Sequence, residues 1–399
     1  MFLAHATPAV GAPCRRPVRI LALLKILMLI LLAVRSVHPV SATPDQIQVR
    51  LFESHPGLNT IQIGGPFRVI RPVNEAIIAG IFTLTVHSTT VVLNSTHRQI
   101  ENALIVLGPL NGKPIAVTAA GKLRHYAGEL TFTAEASRGA HNPSLRALNT
   151  LPTLNYVQSV VGSETEPGWP RETLKAQAVL AQTIVARLRP GEIIGDSTQR
   201  ELYLGTDYVR PGIAESVKSV WHEILTYNRL PAIVFYGSTC AGMTSNGADV
   251  FGDSAKGLSY LKATRCDFCK QSPFWKETVT HIDAERFAHV FGSKLPTVDA
   301  SDKAGRPTAI TYELSGQKQH LSGYQFWMLL GQKFGWDKAP GLKFSLSREG
   351  KEIVVRSTGA GHGVGLCNWG AAEQARLGRT YKQILEYYFP GCVVAKQAH

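Results

Sequence analysis

Sulfur is scarce in this 399-residue chain, which has six cysteines and four methionines. Cys14 falls within the first 42 residues, leaving Cys240, Cys266, Cys269, Cys367 and Cys392 for the rest. So few in so long a chain exclude a disulfide scaffold, and an odd number leaves at least one thiol free, metal-bound or paired between chains. Long apolar runs are missing too. The run "ILMLILLAV" after Lys25 has nine residues, too few to cross a bilayer. No block of arginine and lysine is interleaved with aromatics, which excludes the usual nucleic-acid footprint. No internal repeat is evident.

Acidic residues are the minority charge, 29 against 42 lysines and arginines, for a formal net charge of +13. Part of that surplus sits at the N-terminus. "CRRPVRI", the apolar run and "PVSA" have the order of a secretory signal peptide over residues 1–42. The chain is therefore expected to be exported to the cell envelope, touching the membrane only through this segment if it stays uncleaved. The segment carries five bases (Arg15, Arg16, Arg19, Lys25 and Arg35) and no acid, so without it the charge of +13 falls to +8. That excess suits polyanionic surroundings such as an envelope polymer or anionic lipid.

What is present reads as globular, with 44% hydrophobic and 18% charged residues. Residues 45–150 hold short β-branched runs with period-two alternation, among them "QIQVRLF", "NTIQI", "PFRVIR", "GIFTLTVHSTTVVL" and "HYAGELTFTAE". "ASRGAHNPSLRALN" reads as a turn-rich connector. From Glu172 the period changes: Leu174, Ala178, Ala181, Val185 and Leu188 make one apolar stripe on a helix, stopped by "RPG". "GIAESVKSVWHEIL" reads as a shorter helix and "PAIVFYGST" as a buried strand. Then follow a helix at "DAERFAHVFG", a strand at "TAITYELS", a helix at "GYQFWMLLGQKF" and a strand at "KEIVVRS". A glycine-rich loop and two closing helices, separated at Gly378, end the chain. Strands and helices without βαβ regularity give an α+β fold class.

Three segments, "YVQSVVGSE" with "GWPRETLKAQAVLAQTIVA", "FYGSTCAGMTSNGADVFG" and "GHGVGLCNWGAAEQARLGRTYKQILEYYFPG", resemble in this order the SpoIID/LytB family. These are exported peptidoglycan lytic transglycosylases of the stage II sporulation protein D type, with amidase-enhancer relatives. The likeness implies a β-rich N-terminal region over 43–114 and a SpoIID-like catalytic body over 115–395. The implied reaction cleaves the β-1,4 bond between N-acetylmuramic acid and N-acetylglucosamine without water, leaving 1,6-anhydromuramyl ends. Glycan strands stripped of stem peptides are the implied substrate, a cell-wall amidase the implied partner, and no cofactor is required. Two rivals are a non-catalytic glycan binder that activates an amidase, and a muramidase that uses water and needs a second carboxylate. The chain departs from the family pattern in three places. "ETEP" replaces Glu-Met-Pro, moving Pro167 one position on. Gly237 stands where a histidine is common, and Phe274 lies in "SPFW" where the pattern has Ser-Pro-His-Tyr-Arg-Trp. The last two argue against a histidine-containing metal site.

Cleavage needs a carboxylic acid still protonated near neutral pH, which burial or a like charge can provide. A lytic transglycosylase needs only one, because the C6 hydroxyl of the muramic acid attacks its own anomeric carbon. Glu172 falls in the first turn of the alanine-rich helix, where the dipole favours the ionised form. It is the second candidate. Glu164 precedes that helix, follows the apolar "SVVGS", and matches the family's Glu-Met position, so it is the first. Glu166 reads as a solvated loop charge. The resemblance places His362, Asn368 and Trp369 on the glycan groove, with Ser238 and Thr239 from the second motif. Cys266 and Cys269 form a CxxC half-site for tetrahedral zinc, with Cys240 upstream. A disulfide from Cys240 to the CxxC is the alternative that export allows. Three sulfurs leave the fourth ligand open, with His281 or Asp267 as candidates. Cys367 and Cys392 flank the closing helices and are placed for a bridge.

Overall fold

The alternation over residues 46–152 builds two mainly antiparallel sheets. In the strand Gln46–Leu51, Ile47, Val49 and Leu51 are buried and the residues between them face outward, as the period of two requires. The computed structural model describes residues 44–136, 143–197 and 201–397; the expected signal segment, residues 1–42, lies outside them. One seven-stranded sheet runs in the order Ile193–Gly195, Gln46–Leu51, Ser144–Pro152, Glu129–Glu135, Leu104–Pro109, Phe67–Arg71 and Glu75–Ile77. A six-stranded sheet runs Lys122–Tyr126, Ile115–Ala119, Thr60–Gly64, Ile81–His87, Thr90–Ser95 and Arg98–Asn102. Their inner residues, including Val49, Ile63, Phe67, Leu84, Leu107 and Phe132, share one core.

Of the connector expected at 136–149, residues 137–142 lie outside the described ones and the part from Ser144 is strand. Ser144–Pro152 pairs antiparallel with Gln46–Leu51 on one side and Glu129–Glu135 on the other. Arg146 and Asn149 disguise its alternation of buried Leu145, Ala147, Asn149 and Leu151. Asn149 is tolerated inside because its amide donates to the carbonyls of Ala127 (2.8 Å) and Glu129 (3.1 Å) while the Tyr203 hydroxyl donates to it (2.6 Å). No structural break falls at 114/115. Ile115–Ala119 pairs with Thr60–Gly64 and Glu129–Glu135 pairs with Leu104–Pro109, so the ladders cross that position. Residues 42–399 form one unit.

After the sheets come the helices Thr153–Glu164, Arg171–Val185 and Pro211–Ser219. The alanine-rich one is central rather than amphipathic: Ala176, Ala178, Val179, Leu180, Ala181 and Val185 are fully buried around its circumference. Its interior polar groups find partners, Gln182 bridging Val220 O (3.0 Å) and His222 N (2.7 Å), and Thr183 accepting from Leu225 N (2.8 Å). The expected helix at 212–225 stops at Ser219, because Glu223–Tyr227 pairs with the last strand, Val393–Lys396. Tertiary pairing overrides helix periodicity there. The expected strand at 231–239 forms ladders only at Leu230–Pro231 and Tyr236–Gly237. Residues 278–358 make two three-stranded sheets and the helices Ala284–Phe291 and Gly323–Phe334, packed on Phe287, Phe291, Phe326 and Phe344. The whole is α+β with a β-rich N-terminal part. No helix among the described residues is long and apolar enough to cross a membrane.

Candidate functional site

Two short segments, Tyr236–Gly237 and Leu366–Cys367, pair in parallel and bring the second and third sequence motifs side by side. The end of the helix Thr153–Glu164 meets them there. Together they border a cavity of about 1080 Å³ whose wall includes Glu164, Asp196, Tyr236, Ser238 and His362 and the aromatic side chains of Phe251, Tyr324, Trp327 and Trp336. Aromatic faces with a few convergent polar groups suit a sugar chain.

Glu164 is the last residue of its helix; Thr165 is already extended (φ −127°, ψ 141°). Desolvation pushes its carboxyl up to about 7, and only the Leu202 N–H, donating to Oε1 at 3.0 Å, pulls the other way. The negative end of the helix dipole also disfavours the ionised form. Asn368 Nδ2 donates to the backbone carbonyl of Glu164 at 3.3 Å. Asn368, 3% exposed, thus holds the chain that carries the acid and is absent from the cavity wall.

A second carboxyl lies next to it. Glu201 is fully buried and accepts from the hydroxyls of Tyr156 (2.7 Å) and Tyr236 (3.3 Å). Burial pushes it up to about 8, the tyrosine hydrogen bond opposes this, and the Glu164 charge adds to it. At neutrality Glu201 is therefore mostly protonated and Glu164 about half so; Glu164 lines the cavity itself, and Glu201 is linked to it through Tyr236. Glu201 escapes sequence reading because "RELYLG" shows no motif. The one signal is an acid in register with buried Tyr203 and Gly205.

Glu172 stands apart. Lys175 binds one oxygen at 2.7 Å and the Tyr381 N–H donates to the other at 2.8 Å, tying Arg171–Val185 to the closing helix Tyr381–Tyr388. It does not line the cavity, and both its oxygens are engaged between two helices, which corrects its place as a candidate acid. Glu166 is exposed. Asp196 reaches the wall, but its oxygens accept from the N–H groups of Phe52 (2.7 Å) and Glu53 (3.2 Å).

His362 lies on the wall, edge-on to Phe251 and Phe235 with ring centroids 5.1 and 5.9 Å away. Its Nδ1 accepts from the Val364 N–H at 3.0 Å. Burial pushes the imidazole down to about 4 and the Arg306 charge acts in the same direction, so the ring is neutral at pH 7 and lines rather than titrates. Ser238 lines the cavity; Thr239 is buried and hydrogen-bonds Ser272 instead. Trp369 packs edge-on against Trp169 at 5.4 Å and is not in the wall.

Beneath Ser238 the sulfurs of Cys240, Cys266, Cys269 and Cys367 lie within 4.8 Å of one another, all buried. The fourth ligand position thus belongs to Cys367. His281 pairs with Glu352 at 3.0 Å and Asp267 with Arg265 at 2.7 Å, so neither joins the cluster. Nor does a Cys367–Cys392 pair form: Cys392 is buried outside the cluster as a free thiol. The Cys240–Cys269 sulfur separation is 3.7 Å, close to the ~3.8 Å edge of a tetrahedron with Zn–S bonds of about 2.3 Å. The Cys240 N–H donates to Cys367 Sγ at 3.3 Å and the Tyr388 hydroxyl lies 3.1 Å from Cys266 Sγ, contacts that favour thiolates. Gly370 must be glycine here, since a Cβ would sit 2.7 Å from Cys266 Sγ and 2.2 Å from the Tyr388 oxygen. These residues fit a structural zinc, with all-sulfur ligands where Gly237 and Phe274 leave no histidine.

A family model described as "SpoIID: Stage II sporulation protein" matches residues 141–227. Stage II sporulation protein D of Bacillus subtilis (strain 168) is 32% identical over 275 residues, covering 63% of this chain and 76% of the relative. An uncharacterised protein of Brachyspira hyodysenteriae is 26% identical over 263 residues, covering 63% and 68%. The amidase enhancer of B. subtilis is 22% identical over 282 residues, covering 59% of this chain and 39% of that protein. With the helix end, the paired motifs and the cavity in place, the chain belongs to the SpoIID family.

Proposed function

We propose that this protein is a lytic transglycosylase acting on peptidoglycan glycan strands in the cell envelope, with Glu164 as its single acid–base. A role at the cell wall comes with the family itself; the reaction rests on the site. The observation that carries it is Glu164, a carboxyl raised to about 7 by desolvation on the wall of a sugar-sized cavity.

Protonated Glu164 gives its proton to the glycosidic oxygen, and the C1–O4 bond breaks with the N-acetylglucosamine hydroxyl as leaving group. The C6 hydroxyl of the muramic acid then bonds to C1. Its proton returns to the Glu164 carboxylate, so the acid is regenerated and no water is consumed. Trp327 and Trp336 offer faces for sugar rings, and His362, neutral, offers shape without charge. Asp196 and Asp249 are the other wall carboxylates a water-using enzyme would call on; both Asp196 oxygens are held by backbone N–H groups and one Asp249 oxygen by the Asn246 amide at 2.8 Å. In this reading the four-sulfur centre holds zinc as a structural ion. It pins the Ser238 segment to the Leu366–Cys367 strand and takes no part in bond cleavage.

A relative named amidase enhancer favours one other reading, glycan binding in the service of an amidase. Glu164→Gln separates the two. The transglycosylase reading expects the variant to bind peptide-stripped strands within a few-fold of wild type while cleavage falls by about 10²–10⁴. A wild type that binds, never cleaves and stimulates an amidase, with the Glu164→Gln variant stimulating it equally, would establish the other.

A further inference from the structure

Arg306 is the largest fully buried side chain of the protein's described residues, at 1% exposure. Buried guanidinium groups ordinarily meet a carboxylate, because an uncompensated charge in the interior costs several kcal/mol. This one does not. Its Nη1 donates to Met243 O (3.0 Å) and Ser245 Oγ (3.0 Å), its Nη2 to Cys240 O (2.5 Å), and its Nε has no partner among the described residues. Asp302, the acid in its neighbourhood, accepts from the backbone N–H groups of Ala304 and Arg306 and from the Ser245 hydroxyl. Its charge is the foremost one favouring the guanidinium, relayed through the Ser245 hydroxyl, which donates to Asp302 and accepts from Arg306, and the sulfurs of Cys240, Cys367 and Cys269 act on it in the same direction.

We infer that Arg306 is the counter-ion of a divalent metal bound by all four cysteines. This rests on the zinc reading above. Binding breaks the four S–H bonds, sends one proton from each sulfur to solvent and forms four metal–sulfur bonds, so the centre carries two negative charges. Arg306 offsets one of them from inside the protein. It also fastens the metal-bearing loop, since its hydrogen bonds end on the backbone of Cys240 and Met243. A neutral pair of disulfides or four protonated thiols would leave the guanidinium with Asp302, reached through the Ser245 hydroxyl, and no anion on its Cys240 side.

The arrangement gives part of the glycine-rich loop a different purpose from the one its sequence suggests. Gly363 has φ +78°, and a Cβ there would lie 2.4 Å from the guanidinium carbon. The loop comes close to Arg306 at that point, so this glycine serves the buried charge rather than a glycan.

The test uses the full chain and zinc itself, titrated against a chromophoric chelator, for wild type, Arg306→Lys and Arg306→Met. Losing the charge in Arg306→Met is expected to weaken zinc binding by about 10–100-fold, and Arg306→Lys to restore most of it. Equal zinc affinity in wild type and Arg306→Met overturns the inference. Should Arg306→Met not fold, wild type decides alone. Isotopically resolved native mass spectrometry counts the protons displaced by zinc, and one from each sulfur supports a dianionic centre. Two displaced protons would leave a neutral centre and remove the need for Arg306. A wild type that takes up no zinc defeats the metal reading first, and the counter-ion with it; glycan cleavage assayed on the same sample tells that failure from failure of the transglycosylase reading.

Discussion

On the zinc reading, removing the metal from the four-cysteine centre is expected to produce a large loss of stability. Structural zinc contributes on the order of 10 kcal/mol to folding in small domains at neutral pH. Here the loss falls on one region: Cys240 and the 266–269 turn on one side, Cys367 and the helix Asn368–Arg376 on the other. The hydrophobic core runs unbroken from the two N-terminal sheets to these cysteines, so the loss is expected to lower the stability of the whole unit. Thermal unfolding followed with and without a strong chelator checks this, with the transition of the chelated sample moved to lower temperature. The same scan under reductant alone should change nothing. A protein destabilised by reductant and indifferent to chelator would instead contain the disulfide that export permits.

Glu164→Gln should cost nearly all cleavage and yet stabilise the fold at alkaline pH. The carboxyl is raised from 4.5 to about 7 in the folded state. A raised group contributes stability that is fully present below the unfolded value and is lost as pH rises through the folded one. Between pH 4.5 and about 7 wild type therefore gives up about 3 kcal/mol that the uncharged amide does not. The glutamine oxygen still accepts the Leu202 N–H, so variant and wild type should match near pH 4 and diverge by pH 8. Denaturant unfolding across that range measures the gap. His362 runs the other way: held neutral with its value down at about 4, its contribution is lost as pH falls from 6.5 through 4. A Glu164→Gln difference that is flat with pH would mean that the carboxyl is not desolvated.

Sequence pattern carried much of this fold and a smaller share of the site. The helix Gly323–Phe334 coincides with "GYQFWMLLGQKF", because Ser322 and Gln325 form a capping box that writes its start into the sequence. The position of Glu164 on the cavity wall agrees with a reading from its place after an apolar run and from family likeness. What stayed hidden depends on contacts distant in sequence. Ser144–Pro152 hides its alternation behind Asn149, whose partners lie on another strand and on Tyr203. Glu201 becomes a buried carboxyl only because Tyr156 and Tyr236 close over it. Cys367 lies 98 residues beyond Cys269 with no spacing rule to link them, and only the parallel pairing of Tyr236–Gly237 with Leu366–Cys367 brings it to the other sulfurs. Asn368 and Thr239 were in the right motifs but support the wall from behind rather than face the cavity.

The most direct measurement is the mass of the sugar ends released from peptide-stripped glycan strands, before and after borohydride reduction. An enzyme with one acid and an internal C6 nucleophile leaves ends lighter than the hydrolysis product by one water and indifferent to borohydride, and those ends should vanish with Glu164→Gln. Ends that carry the extra water and gain two hydrogens on reduction would show that water, activated by a second carboxylate, is the nucleophile, and would contradict the single-acid account.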